Sequence, residues 1–215
     1  MRLHPALPLL ALAAGTLACS EASAPERVPN YEWRLVVDTD TLSFHWPKEM
    51  LPVRIWVEDS LDMPARIGEG IASWRGAYLY GEYDAVIVPD SSSADVIVRV
   101  LTPPAVTTSS LGRLHVVFAG CEGATDLDID VALHELRLPV RMYVVPKYDP
   151  ELVDLTECFR VTARHELGHS LGLFRHTSDI RDIMFGQPEA AGLSQRDINT
   201  AQILAHWPAN LIPTR

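Results

Sequence analysis

The chain has 215 residues, of which 47% are apolar and 21% charged, a composition typical of one globular domain. Its 28 acidic residues against 18 basic ones give a formal net charge of −10, and the basic residues form no run or stripe. Nucleic acid is therefore excluded as an expected partner.

Residues 1–19 have the pattern of an export signal. A positive start at Arg2 is followed by an apolar run at 6–18, which is too short to span a bilayer as a mature helix. The run ends at Cys19, and the context Leu-Ala-Cys resembles a bacterial lipobox, although Thr16 stands where leucine is usual. We expect an exported protein, either a cell-envelope lipoprotein lipidated at Cys19 or a secreted protein. A lipid anchor would be its only contact with a membrane.

Residues 20–30 are small, polar and proline-containing, which is typical of a tether. A single domain is predicted over 31–215. It begins with two β-rich runs, at 33–37 and 41–46, which flank Asp-Thr-Asp in the manner of a hairpin.

The next part of the domain predicts a helix among strands. Residues 64–80 are predicted to be helical because Ile67, Ile71, Trp74 and Tyr78 recur at helical spacing. Strands are predicted at 52–57, 83–88, 95–101, 114–119, 127–133 and 138–145, with a loop at 102–110. With the helices that follow, this order favours an α+β fold.

The predicted strand at 127–133 alternates between apolar residues on one face and acidic residues on the other. Asp126, Asp128 and Asp130 share the acidic face. Carboxylate oxygens are the ligands that Ca²⁺ prefers, so these residues are a candidate calcium site. A solvated strand face without a metal is the alternative.

Two cysteines remain once Cys19 is assigned to the signal. Cys121 and Cys158 are not spaced as a Cys-x-x-Cys pair. In an exported protein, two remaining cysteines are candidates for one disulfide. Two buried free thiols are the alternative.

The predicted helix at 155–173 carries the residues that point most clearly to chemistry. His165 and His169 are four residues apart and therefore share a helix face, where two imidazoles can bind one metal ion. Glu166 follows the first histidine and is placed to act on a metal-bound water rather than as a ligand.

The chain beyond this helix holds a candidate third ligand. Gly172 can let the chain leave the helix with a positive φ, so that His176 can swing back toward the metal. Met184 follows in a tight segment. A last helix is predicted to begin at Ser194, where Asp197 three residues on indicates a capping box.

These residues together resemble the metzincin zinc endopeptidases, and among them the matrixins. The shared pattern is two helical histidines, a glycine, a third histidine and a turn with a methionine under the metal. The resemblance implies His165, His169 and His176 as ligands of one catalytic Zn²⁺. It implies Glu166 as the general base and Met184 as the Met-turn residue. It also implies a mixed twisted sheet with a helix packed on it, an active-site helix and a C-terminal helix.

One departure from the family pattern concerns the third ligand. The family has two residues between the glycine and the third histidine, whereas this chain has three. Arg175 occupies the expected ligand position, where its cation cannot bind zinc. The interval from His176 to Met184 matches the matrixins and favours a one-residue insertion before His176. Asp179 is the alternative third ligand, because carboxylates also bind zinc.

We therefore expect a zinc-dependent endopeptidase that works as a monomer on a protein or peptide substrate. By the family's layout, 114–118 is the antiparallel edge strand that pairs with an extended substrate. The alternative from another class is a non-catalytic exported binding module with a structural zinc site. A buried site with four protein ligands would favour that alternative.

Overall fold

The structure is a computed structural model that describes residues 28–102, 104, 112–118, 120–188 and 190–215. The predicted signal with Cys19, the tether up to residue 27 and most of the predicted loop at 102–110 lie outside the described residues. Within the described part of the chain, no helix is long and apolar enough to cross a membrane.

The described chain is α+β, with helices and strands in the predicted order. Its α-helices are α1 (Met63–Ala77), α2 (Thr156–Ser170) and α3 (Gln195–His206). Its strands are β1 (Leu35–Val37), β2 (Asp40–Leu42), β3 (Val53–Val57), β4 (Ala85–Ile87), β5 (Val96–Arg99), β6 (Gly112–Phe118), β7 (Cys121–Asp130), β8 (Glu135–Pro146) and β9 (Ile212–Thr214).

Seven of these strands form one mixed sheet. The hydrogen-bonded order is β4-β3-β5-β8-β7-β6, and β9 also pairs with β8. The first four strands of this order run parallel, whereas β7 is antiparallel to β8 and β6 is antiparallel to β7. Among the described residues, β6 therefore forms one edge of the sheet, as predicted for 114–118.

The predicted hairpin is present but shorter than expected. β1 and β2 pair antiparallel, and Asp38 in their turn has a φ of 51°, a conformation that aspartate tolerates better than most residues. The second arm ends at Leu42 rather than at 46. It ends there because the backbone of Ser43 pairs instead with Asn210 and Leu211 near the C-terminus.

Two strands were wrongly placed or missed by local pattern. β7 begins at Cys121 rather than at 127, because Gly123 and Ala124 have low strand propensity and their pairing with β6 and β8 is non-local. β9 is short, contains Pro213 and pairs with β8 across a long sequence separation. Neither the start of β7 nor the presence of β9 leaves a local signal in the sequence.

Helices α1 and α2 pack against each other, and α2 also packs on the sheet. A Cβ on Gly70 of α1 would lie 2.5 Å from Leu167 Cδ1, so the side chain of Leu167 packs directly over this glycine. The indole N–H of Trp74 donates to the carbonyl oxygen of Arg164 at 2.8 Å, and Trp74 is fully buried. These contacts hold α2 in place from the side of α1.

A disulfide joins α2 to the sheet. Cys121 at the start of β7 is bonded to Cys158 in α2, with 5.8 Å between their Cα atoms. Of the two alternatives that the sequence left for these cysteines, the structure therefore has the disulfide and not two buried free thiols. The disulfide ties the helix that carries two of the histidines to one position along β7.

Candidate metal centre

Helix α2 places two histidines and a glutamate in the interior. His165 and His169 are one turn apart, and Glu166 follows the first of them. The side chains of all three are 0% exposed. Burial of three polar side chains together is costly unless they bind or hydrogen-bond to something, so this turn of α2 is a candidate functional site.

The helix ends three residues earlier than predicted. Its last residue is Ser170, and Leu171 caps it with an N–H that bonds back to the final turn. Gly172 then has a φ of 107°, and a Cβ at this position would collide with the carbonyl oxygen of Phe44. Glycine is required here for both conformation and space. The chain consequently turns away from the helix axis directly after Gly172.

The extra residue before the third histidine lies at the surface. Leu173 and Phe174 are buried, and the N–H of Phe174 donates to the carbonyl oxygen of Trp33 at 2.8 Å. Arg175 is exposed, and the next residue is His176. The bend thus places its arginine in solvent and returns His176 toward α2.

Three imidazole nitrogens converge beside the end of α2. Nε2 of His165 lies 3.0 Å from Nε2 of His169, and Nε2 of His176 lies 3.2 Å from each of them. His165 and His169 are buried, whereas His176 is exposed. The structure brings together the three histidines that the sequence singled out, and they could hold a metal ion.

Hydrogen bonds fix the tautomers of the two helical histidines. Nδ1 of His165 lies 2.6 Å from the carbonyl oxygen of Ile183, and Nδ1 of His169 lies 2.6 Å from that of Leu173. A carbonyl oxygen only accepts, so each Nδ1 donates and each Nε2 keeps its lone pair. Two such lone pairs facing each other at 3.0 Å repel unless a cation lies between them.

Burial keeps both helical imidazoles neutral. Desolvation, with a smaller contribution from the charge of His176, lowers the pKa of His165 to about 3. Desolvation also holds the pKa of His169 well below its ordinary value. Neutral imidazole is the form that binds a metal. A tetrahedral zinc with Zn–N distances of about 2.0–2.1 Å needs nitrogen atoms about 3.3–3.4 Å apart, close to the observed 3.0–3.2 Å.

Asp179 does not belong to this cluster. Its carboxylate is bonded to the guanidinium of Arg181 at 2.6 and 2.9 Å, and this pairing lowers its pKa. In the described part of the chain, the three histidines are the one group of three or more His, Cys, Asp or Glu side chains whose ligand atoms all lie within 4.8 Å of one another. The geometry therefore favours His176 over Asp179 as the third ligand.

Glu166 is held by a single side-chain partner. Its Oε2 accepts a hydrogen bond of 2.5 Å from Thr125 Oγ1 on β7. Its Oε1 is buried and has no hydrogen-bond partner among the described residues. Burial raises the pKa of Glu166 well above its usual value, and the Thr125 hydroxyl acts in the opposite direction. Thr125 was not predicted as a site residue, because its one signal in the sequence is a hydroxyl on the apolar face of β7.

Met184 lies under α2. It is 0% exposed, and a Cβ on Gly168 would collide with its sulfur atom. The carbonyl oxygen of Met184 accepts a hydrogen bond of 3.0 Å from the N–H of Thr177, which closes the loop between the third histidine and the methionine. The predicted turn thus supports the last turn of α2 from below.

Helix α3 fixes this turn through a buried carboxylate. Asp197 caps α3 with Ser194 in the predicted capping box, and its Oδ2 also accepts from the N–H of Ile183 at 2.8 Å. Tyr31 donates to its Oδ1 at 2.9 Å. Ile183 therefore connects Asp197 to His165. Its N–H donates to the carboxylate of Asp197, and its carbonyl oxygen accepts from Nδ1 of His165 and orients that ring.

The aspartates considered for calcium are engaged in ion pairs. Asp126 binds Arg113 at 2.6 Å, and Asp130 binds Arg137 at 2.6 Å. Asp128 lies 3.5 Å from Arg137. Their carboxylates do not come together as a ligand group within the described residues. The structure therefore gives the calcium interpretation no support.

No model of a known protein family matches this chain, and no curated protein matches it either. The resemblance to the metzincins therefore rests on the residues and spacings of the site itself.

Proposed function

We propose that this protein is a zinc-dependent endopeptidase with a matrixin-like metzincin fold. The observation that carries the proposal is the convergence of three histidine Nε2 atoms. Two of these histidines lie on the helix that also carries the buried carboxylate of Glu166. His165, His169 and His176 would hold the ion. A bound zinc would lower the pKa of a water molecule and polarise the carbonyl group of a substrate.

Glu166 is the residue that moves the proton. Its Oε2 is bonded to Thr125, so its Oε1 is the oxygen left to accept a proton from the attacking water. The same carboxyl group can then deliver that proton to the amine that leaves when the peptide bond breaks. The pKa of Glu166 is raised by burial, which suits a group that must carry a proton between two steps.

The edge of the sheet supports a peptide as substrate. β6 is paired on one side with β7, and no described strand pairs with its other side. An extended peptide can add to such an edge through its backbone, largely independent of its side chains. We propose that a protein or peptide substrate lies along β6.

A structural zinc site in a binding module is the competing proposal. Such a site has four protein ligands and is closed. The described residues bring three candidate ligands together, and the third of them, His176, is exposed. This observation favours a catalytic site.

The proposal is tested by replacing Glu166 with glutamine. Glu166→Gln should retain one zinc per chain by atomic absorption, because Glu166 is not a ligand. It should lose cleavage of an unfolded protein about 10²–10⁴-fold, as expected for a missing general base. Glu157→Gln is the matched control, since it makes the same change at an exposed position of the same helix. Full activity in Glu166→Gln would refute the mechanism.

Export also belongs to the proposal. Processing at Cys19 would leave the domain tethered to the cell envelope, and plain signal cleavage would release it. Mass spectrometry of the mature N-terminus distinguishes the two, because a lipidated cysteine adds the mass of its acyl chains.

A further inference from the structure

One face of β7 points toward α2. Its buried residues alternate along the strand, and they include Cys121, Thr125 and Leu127. Thr125 is the polar side chain among them, and it is 0% exposed. A buried hydroxyl on an apolar strand face is costly unless it is hydrogen-bonded, so its partner indicates its role.

That partner is the carboxylate of Glu166. Oγ1 of Thr125 lies 2.5 Å from Oε2 of Glu166 and 3.4 Å from the backbone carbonyl oxygen of the same residue. A threonine hydroxyl donates one proton, and the shorter contact to the carboxylate takes it. The hydroxyl therefore fixes which oxygen of Glu166 is held and which is left over.

The disulfide sets the register of this contact. Thr125 lies four residues after Cys121 on β7, a span of about 13 Å. Glu166 lies eight residues after Cys158 on α2, a span of about 12 Å. The two links are therefore about equally far apart along β7 and along α2. The disulfide and the Thr125–Glu166 hydrogen bond hold the helix and the strand in one fixed alignment.

We propose that Thr125 is a positioning residue for Glu166: its hydroxyl holds Oε2 so that Oε1 faces the three histidines. The inference rests on the proposed function, because it gives the held carboxylate a catalytic use. Thr125 itself touches neither substrate nor reacting atoms. Misplacement of a catalytic group by about 1 Å can cost about a hundredfold in rate.

The test replaces Thr125 by valine, which keeps the shape and removes the hydroxyl. Thr125→Val should lower kcat for peptide cleavage by about ten- to a hundredfold, while KM and the zinc content stay within about twofold of the wild type. Thr125→Ser retains a hydroxyl and should restore kcat to within about threefold of the wild type. Unchanged kcat in Thr125→Val would overturn the inference.

Thr162→Val is the matched control. Thr162 is also a fully buried threonine and lies on α2, but its hydroxyl has no hydrogen-bond partner among the described residues. Its replacement should leave kcat within about twofold of the wild type. An equal loss of kcat in Thr162→Val and Thr125→Val would show a general packing effect and would contradict a specific role for Thr125.

Infrared spectroscopy of the metal-free protein gives a readout independent of activity. The carboxyl band of Glu166 is identified as the band lost in Glu166→Gln. It should shift in Thr125→Val and return in Thr125→Ser, and a band that stays in place would overturn the inference. If valine prevents folding, Thr125→Ala takes its place in both measurements. If the band shifts in Thr125→Val but the wild-type protein has no peptidase activity, the hydrogen bond from Thr125 to Glu166 is supported and the proposed function is refuted.

Discussion

The histidine cluster brings together Nε2 atoms whose lone pairs repel each other unless a cation lies between them. His165 and His169 each donate from Nδ1 to a backbone carbonyl, so their Nε2 lone pairs face each other at 3.0 Å. The helix spacing and the carbonyl of Ile183 impose this arrangement. The protein therefore holds these nitrogen atoms in an arrangement that could bind a metal ion.

Stability of the metal-free protein should fall as the pH falls below 6.5. His165 has a folded-state pKa of about 3 against 6.5 when unfolded, so its stabilising contribution is present above 6.5 and is lost toward acid. Urea unfolding after chelation should show that the wild type loses about 2 kcal/mol more than His165→Gln between pH 7.5 and pH 5. The raised pKa of Glu166 acts in the opposite direction, but it is common to both proteins.

His206→Gln is the control for this measurement, because His206 is an exposed histidine on α3. It should show the same pH dependence as the wild type. A wild type and a His165→Gln variant with parallel pH profiles would contradict the neutral, buried state assigned to His165.

The identity of the third ligand can be tested by paired substitutions. His176→Ala should weaken zinc binding by at least about a hundredfold in a competition titration. The reason is that loss of a direct ligand weakens metal binding more than loss of a residue that supports a ligand. Asp179→Asn should stay within about threefold of the wild type, since its carboxylate is bonded to Arg181. A larger loss in Asp179→Asn than in His176→Ala would identify Asp179 as the ligand.

At the scale of elements, α2 is fixed by contacts from every side. α1 packs against it through Gly70, β7 through the disulfide, and the Met184 turn supports it from below. Each contact acts on the helix that carries two of the histidines. We therefore expect changes at these contacts to affect both stability and metal binding.

Removing the disulfide should destabilise the protein. Cys121 and Cys158 are 37 residues apart, and closing a loop of that size restricts the unfolded chain. Cys121→Ala combined with Cys158→Ala should lower the free energy of unfolding in urea by about 2–4 kcal/mol. Reductant should destabilise the wild type by a similar amount and leave the double variant unchanged. Equal stability of wild type and double variant would show that the bond adds no constraint.

Gly168 tests the support that Met184 gives to α2. A Cβ there would collide with the Met184 sulfur and lie 2.9 Å from Trp74, so Gly168→Ala should cost about 1–3 kcal/mol and weaken zinc binding. Gly68→Ala in α1 is the control, because no atom of the described residues would lie within 4 Å of a Cβ placed there. It should stabilise the protein by about 0.5–1 kcal/mol in the same thermal unfolding series. Similar effects of both changes would contradict the described packing.

The sequence predicted α1, α2 and α3 because apolar spacing and a capping box are local signals. It did not predict the start of β7 or the presence of β9, because both depend on pairing with distant strands. Likewise, the three histidines could be read from one stretch, whereas Thr125 reaches Glu166 only through the packing of β7 on α2. Contacts between elements leave no local pattern.

At the scale of the whole molecule, the fold places the proposed site between a helix and a sheet edge. α2 and the chain after Gly172 carry the three candidate metal ligands, and β6 offers an unpaired edge among the described strands. Under the proposed function, a peptide on that edge would supply the bond to be cleaved, and the three histidines and Glu166 would supply the metal site and the base. This combination would suit the proposed hydrolysis of extended peptides, which an α+β fold alone would not establish.

The central claim is tested most directly by exposing a peptide library derived from a whole proteome to the zinc-loaded protein. New termini are identified by mass spectrometry, and Glu166→Gln serves as the blank. The account predicts termini with a shared sequence preference that appear with the wild type and not with Glu166→Gln. A wild-type protein that holds one zinc per chain and generates no new termini would contradict it.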